Sequence, residues 1–229
     1  MEDFRFVNNM INTHIVFDLD WTLTDTQGIH QQVESDFLQS KWITIPPETI
    51  WVKYAWRTPK ERISEVLASE KIDFTSEEIQ KFVDGKDDII LSLLHTWKIT
   101  LMPHARETLQ VLYTKGYKLW ISSWSARDLL DELINYFDLD KIVVASTSAN
   151  EVKNKKPNPD VFLSSFSKIE ELYGKPDVKY VVWDWWSDME WWHKAWAKTI
   201  WLNYLKKQKL NDIYCDREIV SLHQLQTIL

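Results

Sequence analysis

A chain of 229 residues is long enough to bury a hydrophobic core as one large domain or as a domain with an insert. Its net charge of −7, with lysine and arginine scattered along the chain, excludes an obvious basic surface for nucleic acid or an anionic membrane. No apolar run approaches the roughly 20 residues that span a bilayer, and a single cysteine, Cys215, excludes an internal disulfide. We therefore expect a small-molecule partner. The N-terminus lacks the pattern of a signal peptide, which favours the cytoplasm.

Short apolar runs followed by polar residues predict the strands of a parallel sheet. The first is HIVFDLD at residues 14–20, which ends in acidic side chains. Four more are KLWIS, KIVVAS, KYVVWD and KTIWL, at residues 118–122, 141–146, 179–184 and 198–202. Helix-like stretches separate them, at residues 104–115, 126–136, 159–173 and 187–195. This alternation predicts a three-layer, doubly wound, mostly parallel α/β fold, whose ligands bind beyond the carboxyl ends of the strands.

The stretch between the first two predicted strands has helical rather than strand periodicity. Its amphipathic sequences include PKERISEVLASE and SEEIQKFVDGKDDIILSLL. Pro103 marks the return of the chain to the sheet. The pattern predicts an α/β core of residues 1–25 and 101–229 with an inserted α-helical domain at residues 26–100.

Two carboxylates, Asp18 and Asp20, stand two positions apart where the first predicted strand ends. Such a pair can bind a hard divalent cation through its oxygens. One carboxylate can also attack phosphorus while the other transfers a proton. An acidic loop that only caps a helix is the alternative, and it explains a lone aspartate better than this pair.

The sequence DLDWTLTDT at residues 18–26 resembles the first motif of the haloacid dehalogenase superfamily, a hydrophobic strand followed by DxDGT, with Trp21 in place of the glycine. Counterparts of the other family motifs follow in the same order. They are a serine after the second strand, a lysine in a KPxPD sequence and an acidic pair after a later strand. These residues are Ser123 in LWISSWS, Lys156 in KPNPD, and Asp184 and Asp188 in WDWWSD. The resemblance covers nearly the whole chain.

The resemblance implies a phosphatase that is transiently phosphorylated on Asp18. In such an enzyme Asp20 protonates the leaving oxygen and then activates water for the second step. Ser123 and Lys156 bind the phosphoryl group. The presence of Asp20 argues against a dehalogenase, because that chemistry has no ester oxygen to protonate.

The resemblance also implies Mg²⁺ as the cofactor. The expected metal site contains Asp18, Asp20 through its backbone carbonyl, and Asp184, with Asp188 supporting it directly or through the other ligands. A cation of this kind offsets the repulsion between a carboxylate nucleophile and a phosphate dianion.

The predicted insert resembles the helical cap of the subgroup that contains phosphoglycolate phosphatase and β-phosphoglucomutase. His30 stands where that subgroup often has a histidine, and Arg57 and Lys60 are candidates for contact with a substrate anion. A solvated start of a helix explains Arg57 and Lys60 equally well. The implied partner is a small phosphorylated metabolite, and the implied assembly is a monomer or homodimer. A β-phosphoglucomutase-like phosphotransferase is the alternative within the enzymes.

Tryptophan is abundant where glycine is expected: the chain has 14 tryptophans and 4 glycines. Trp186 and Trp201 occupy positions where an aromatic residue is unremarkable. Glycine at the other twelve positions would restore the usual share of about 7%. Sites that resemble glycine positions of the family include Trp21, Trp42, Trp56, Trp120, Trp124, Trp183, Trp185, Trp192 and Trp196.

Our hypothesis is that the gene comes from a lineage that reads the UGA codon as glycine, so that these tryptophans are glycines in the native protein. The alternative is a truly tryptophan-rich chain. Genuine tryptophans beside the motifs would favour a catalytically inactive binding protein with the same fold, because Trp21, Trp183 and Trp185 would crowd the phosphate and metal positions.

Overall fold

The computed structural model describes residues 12–54, 58–96, 99–154, 158–184, 196–204, 206 and 214–229, apart from the side chains of residues 51–54. Within these residues six strands form one parallel sheet. The strands are β1 (Thr13–Asp18), β2 (Lys118–Ser122), β3 (Ala145–Thr147), β4 (Val178–Trp183), β5 (Lys198–Leu202) and β6 (Arg217–Ile219). Their order is β3-β2-β1-β4-β5-β6, so β1 lies between β2 and β4. The predicted doubly wound α/β fold is confirmed.

The sheet differs from the prediction near its two edges. The strand predicted at residues 141–146 is shorter and later, because Leu139–Lys141 forms a short 3-10 helix and pairing begins only at Ala145. The edge strand β6 was not predicted. Of its three residues only Ile219 is buried, which is too little apolar pattern to identify a strand.

Alternate side chains of β1 point to opposite faces of the sheet, as the two-residue period of a strand requires. Ile15 and Phe17 belong to one buried cluster, whereas Val16 belongs to another. Helices cover both faces and give the molecule three layers. Helix α7 (Asp160–Tyr173) packs on the side of Val16, and α5 (Ala105–Thr114), α6 (Arg127–Tyr136) and the C-terminal α8 (Leu225–Ile228) pack on the side of Ile15.

Four of the described helices lie between β1 and α5, and we call residues 27–93 the helical insert. They are α1 (Gln27–Gln39), α2 (Pro47–Tyr54), α3 (Pro59–Ser69) and α4 (Ser76–Leu93). Thr58 and Thr75 each start a helix with a capping box, in which the threonine hydroxyl accepts from a backbone N–H and a glutamate accepts in return. None of the described helices is both long enough and apolar enough to cross a membrane.

A buried ionic cluster joins three helices of the insert. Arg62 of α3 donates through Nε and Nη2 to the two carboxylate oxygens of Glu34 of α1, at 3.0 and 2.7 Å. Lys86 of α4 donates to Glu34 Oε1 at 2.9 Å. Burial opposes ionisation of Glu34, but the charges of Lys86 and Arg62 outweigh it and lower the pKa of that carboxyl to about 2. We call these three residues the insert cluster.

Three of the tryptophans that the structure describes have a left-handed backbone. Trp21, Trp42 and Trp196 have φ values of 62°, 65° and 59°. This region suits glycine, which lacks the Cβ that causes the steric clash in other residues. The side chains of Trp42 and Trp196 are also 95% and 92% exposed, so packing does not stabilise them there. All three belong to the proposed glycine sites, and their backbone supports the recoding hypothesis.

Candidate active site

The carboxyl ends of three adjacent strands bring the predicted site residues to one edge of the sheet. Asp18 is the last residue of β1 and is paired with Ser122 at the end of β2. Ser123 follows directly and is fully buried. On the other side of β1, Asp184 follows the last residue of β4. The order β2-β1-β4 therefore gathers residues that are far apart in sequence.

A tight turn after β1 fixes the two aspartates relative to each other. The backbone N–H of Leu23 donates to Leu19 O at 2.8 Å, and that of Trp21 donates to Thr24 O at 2.8 Å. Within this turn the Thr22 hydroxyl donates to Asp18 Oδ2 at 3.3 Å. The turn thus keeps the Asp18 carboxylate, which is only 5% exposed, oriented at the sheet edge.

Asp20 lies in a ring of hydroxyl groups. Thr26 Oγ1 donates to Asp20 Oδ1 at 2.5 Å, while Ser123 Oγ and Ser125 Oγ each lie 3.3 Å from Oδ2 as donors. His30 Nε2 is 3.5 Å from Oδ1, an ion-pair distance when the imidazole is protonated. The hydroxyls of Ser123 and Ser125 connect this carboxylate to the loop after β2.

The pKa of Asp20 is lowered to about 2. Burial alone would raise this pKa, but the interactions with His30, followed by the hydrogen bonds from Thr26 and Ser125, outweigh burial. Asp20 is therefore ionised at neutral pH when no substrate is bound. Two carboxylates, one on each side of the same turn, give this edge of the sheet a strongly negative character.

Asp184 borders a cavity of about 390 Å³ at the same edge. Its backbone carbonyl accepts a hydrogen bond from Trp201 Nε1 at 2.9 Å. Burial, and then the charge of Asp184, raise the pKa of the Tyr204 hydroxyl in the same cavity. Trp21 and Asp25 also line this cavity. A tryptophan of the first motif thus borders the same cavity as the predicted metal ligand Asp184.

The helical insert contacts the site through Asp87 of α4. Its Oδ2 accepts from the backbone N–H of Ala126 at 2.6 Å, directly after Ser125 and at the start of α6. The insert and the loop that carries Ser123 are therefore connected.

Some predicted residues lie outside the described part of the chain. Lys156, Asp188, Trp185 and Arg57 are among them. Within the described part, Asp18, Asp20, Ser123 and Asp184 reach the same edge, and their assignment as site residues stays a prediction. Sequence reasoning did not identify Thr26 or Asp87, because a threonine before a helix and an aspartate on a helix are ordinary surface residues.

The chain is similar to a known protein family in sequence and to several solved structures in fold. The model of the haloacid dehalogenase-like hydrolase family matches residues 15–202. Protein CbbY of Rhodobacter capsulatus is 26% identical over 170 residues, which are 68% of this chain and 70% of that protein. The structure of CbbY from Rhodobacter sphaeroides in complex with phosphate has a TM-score of 0.74 at 18% identity, and covers 94% of this chain and 96% of that chain. A protein assigned as a β-phosphoglucomutase from Thermotoga maritima has a TM-score of 0.67 at 20% identity, with 94% and 97% covered.

The protein has three layers, with one parallel sheet between two layers of helices, and a pair of carboxylates lies at the carboxyl end of the central strand. These features are typical of an α/β enzyme with an acidic site at the edge of its sheet. The chain belongs to the haloacid dehalogenase-like hydrolase family, whose model matches most of its length. A protein assigned as a phosphoglycolate phosphatase from Lactobacillus plantarum also has this fold, with a TM-score of 0.74 at 16% identity, covering 94% of this chain and 98% of that chain. The predictions of the family and of a hydrolytic enzyme are confirmed. The proteins assigned to the phosphoglycolate phosphatase and β-phosphoglucomutase-like subgroup share the fold of this chain.

Proposed function

We propose that this protein is a Mg²⁺-dependent phosphatase that hydrolyses a small organic phosphate through an aspartyl-phosphate on Asp18. The observation that carries the proposal is the pair of ionisable carboxylates, Asp18 and Asp20, held by one turn at the end of the central strand. CbbY of Rhodobacter capsulatus is a relative of this chain, and the similar structure of CbbY from Rhodobacter sphaeroides is a complex with phosphate. Both similarities support a phosphorylated ligand.

In the first half-reaction an oxygen of Asp18 attacks phosphorus, and the bond from phosphorus to the ester oxygen breaks. Thr22 supports this role because its hydroxyl restricts rotation of the Asp18 carboxylate. Ser123 is proposed to donate to a phosphoryl oxygen once a substrate replaces its 3.3 Å contact with Asp20, and its position in the loop after β2 supports this role. Lys156 is proposed as the cation that accompanies the phosphoryl group.

Asp20 is proposed as the acid of the first step and the base of the second. Its low pKa makes it a carboxylate in the free protein, so it must gain a proton before it can donate one. A phosphoryl dianion that arrives beside Asp20 raises the pKa, because a like charge disfavours the ionised form. In the second step water attacks phosphorus, Asp20 accepts its proton, and inorganic phosphate leaves Asp18 free.

The donor set fits Mg²⁺, which prefers oxygen ligands in octahedral geometry. Asp18, the backbone carbonyl of Asp20 and Asp184 would hold the ion, with Asp188 in support. When bound, the ion supplies positive charge that neutralises the phosphoryl oxygens during transfer.

We further propose that residues 26–100 act as a cap that selects the substrate, and that residues 1–25 and 101–229 form the catalytic core. The contact between Asp87 and Ala126 supports this division, because it places α4 of the insert beside the serine-bearing loop. A small phosphorylated metabolite is the proposed substrate.

The test is release of inorganic phosphate from p-nitrophenyl phosphate and from a panel of phosphorylated metabolites, with Mg²⁺ titrated against a chelator. We expect release that requires Mg²⁺ and disappears in the Asp18→Asn variant. Incubation of a sugar monophosphate with the matching bisphosphate distinguishes transfer from hydrolysis, since a phosphomutase produces the isomeric monophosphate. Folded protein that releases no phosphate from any substrate in Mg²⁺ would contradict the proposal.

A further inference from the structure

A second group of potential metal ligands lies outside the acidic strand edge. His104, Glu107 and His223 are exposed, and one ligand atom of each lies within 4.8 Å of those of the other two. His104 Nδ1 is 3.4 Å from Glu107 Oε2, and His223 Nδ1 is 3.8 Å from Glu107 Oε1. The two imidazole rings have centroids 5.4 Å apart. The carboxylate therefore lies within reach of both rings.

The fold brings His223 to His104 and Glu107, which are close to each other in sequence. His104 immediately precedes α5 and has a left-handed backbone, with φ of 64°. Glu107 lies in the first turn of α5. His223 belongs to the short 3-10 helix Leu222–Gln224, near the end of the chain.

Buried neighbours fix the 3-10 helix against α5. Leu222 and Leu225, on either side of His223, are fully buried in the cluster that also contains Leu109 of α5. Two hydrogen bonds continue the contact along the helix. Lys115 Nζ donates to Gln226 O at 2.8 Å, and Gln226 Nε2 donates to Thr108 Oγ1 at 3.2 Å. The arrangement is thus set by packing rather than by the exposed side chains themselves.

We propose that His104, Glu107 and His223 form a binding site for Zn²⁺ or a similar borderline divalent cation, with water as the fourth ligand. Two imidazoles and a carboxylate are a donor set that suits Zn²⁺, whereas Mg²⁺ prefers oxygen ligands alone. Tetrahedral ligands at 2.0–2.1 Å from zinc are about 3.3 Å apart. The two histidines approach different oxygens of Glu107, at 3.4 and 3.8 Å, and the three ligand atoms lie within 4.8 Å of one another. Rotation of these exposed side chains would bring the three ligands to the spacing of a tetrahedral site.

A cation bound here would connect the C-terminal segment to the start of α5. The ligands come together only in the folded chain, so binding stabilises the folded state. The site would be structural or regulatory, since its ligands are distinct from the carboxylates proposed for catalysis.

The test is a Zn²⁺ titration of tag-free protein against a chromophoric chelator, in excess Mg²⁺ to occupy the acidic strand edge. We expect one Zn²⁺ per chain that the His223→Gln and Glu107→Gln variants bind at least about tenfold more weakly. His95→Gln is the matched control, because His95 is another exposed histidine, 3.6 Å from Glu132. This control should bind Zn²⁺ as the parent does.

Thermal unfolding provides a second measurement that does not depend on phosphatase activity. Zn²⁺ should raise the Tm of the parent and of His95→Gln, and should leave that of His223→Gln unchanged. The proposal is overturned if the parent binds no Zn²⁺ in excess Mg²⁺, or if His223→Gln binds it as tightly as the parent. Circular dichroism checks that each variant is folded. A failure here leaves the phosphatase proposal intact, because none of these ligands belongs to it.

Discussion

The acidic strand edge and the helical insert each contain a carboxylate whose pKa is about 2, Asp20 partly exposed and Glu34 fully buried, but the causes differ. The charges of Lys86 and Arg62 lower the pKa of Glu34, whereas a histidine and hydroxyl groups lower that of Asp20. In the insert cluster Lys86 and Arg62 balance the charge of Glu34, so this buried carboxylate stabilises the folded state. Asp20 is instead surrounded by the imidazole of His30 and by the hydroxyl groups of Thr26, Ser123 and Ser125. An acidic pair such as Asp18 and Asp20 is suited to bind a cation and a phosphoryl group.

The largest effect that the comparison predicts is on activity at the strand edge. Asp18→Asn should lower turnover by at least about a thousandfold, because an amide is a poor nucleophile and a weaker metal ligand. The free energy of unfolding should change little. Steady-state phosphate release and urea unfolding measure the two quantities. Activity within tenfold of the parent would remove Asp18 from its proposed role.

Asp20→Asn should reduce turnover by about 10²- to 10⁴-fold on an alkyl phosphate, since general acid–base catalysis contributes that much. The loss should be smaller on p-nitrophenyl phosphate in the first half-reaction, because that leaving group needs little protonation. Rapid quench of the variant with this substrate should therefore trap phosphorylated Asp18. Absence of any trapped intermediate would count against separate roles for the two carboxylates.

Glu34→Gln tests how much the insert cluster contributes to the stability of the fold. It leaves Lys86 and Arg62 buried without a full counter-charge, which should cost about 3–5 kcal/mol of unfolding free energy. Lys41→Gln is a control in the same insert, because it removes an exposed 3.4 Å pair with Glu78 that is worth about 1 kcal/mol or less. Chemical denaturation of both variants at neutral pH measures the difference. Equal destabilisation would show that burial of the insert cluster has no special importance.

The pH dependence of stability sharpens the Glu34 prediction. The folded pKa of Glu34 is about 2, below its ordinary value of 4.5. Its stabilising contribution is therefore fully present above pH 4.5 and is lost as the pH falls towards 2. In Glu34→Gln this part of the acid dependence should be missing, so the unfolding free energies of parent and variant should converge in acid. Denaturation series at several acidic pH values test this, and a constant difference would contradict it.

The smallest effect concerns the tryptophans beside the acidic strand edge. Glycine at positions 21, 183 and 185 together should raise phosphatase activity, because Trp21 has positive φ and lines the cavity at Asp184. Solubility should also improve through loss of the partly exposed Trp21, whereas Trp183 is only 1% exposed and packs against Phe162. Both forms should be compared folded and in Mg²⁺. An unchanged rate would remove the functional support for recoding of UGA as glycine.

The acidic strand edge could be predicted from sequence because its signals are local. Asp18, Ser123 and Asp184 each follow an apolar run, and polar residues at the ends of buried strands are a recognisable pattern. The insert cluster could not be predicted in this way. Glu34, Arg62 and Lys86 lie on three helices, and a charged residue on a helix is usually solvated. Only the packing of α1, α3 and α4 shows that they meet.

The central position of β1 also determines when the acidic strand edge can form during synthesis. Thr13 at the start of β1 pairs with Val178 of β4, so most of the chain must leave the ribosome before this pairing is possible. Contacts between residues so distant in sequence slow folding, because a long loop must close first. Until β4 arrives, the emerging N-terminal part exposes an unpaired edge of an apolar strand, which is prone to aggregation. The acidic strand edge is thus among the last parts of the nascent protein to be completed, and chaperones should bind the growing chain for as long as β1 lacks its β4 partner.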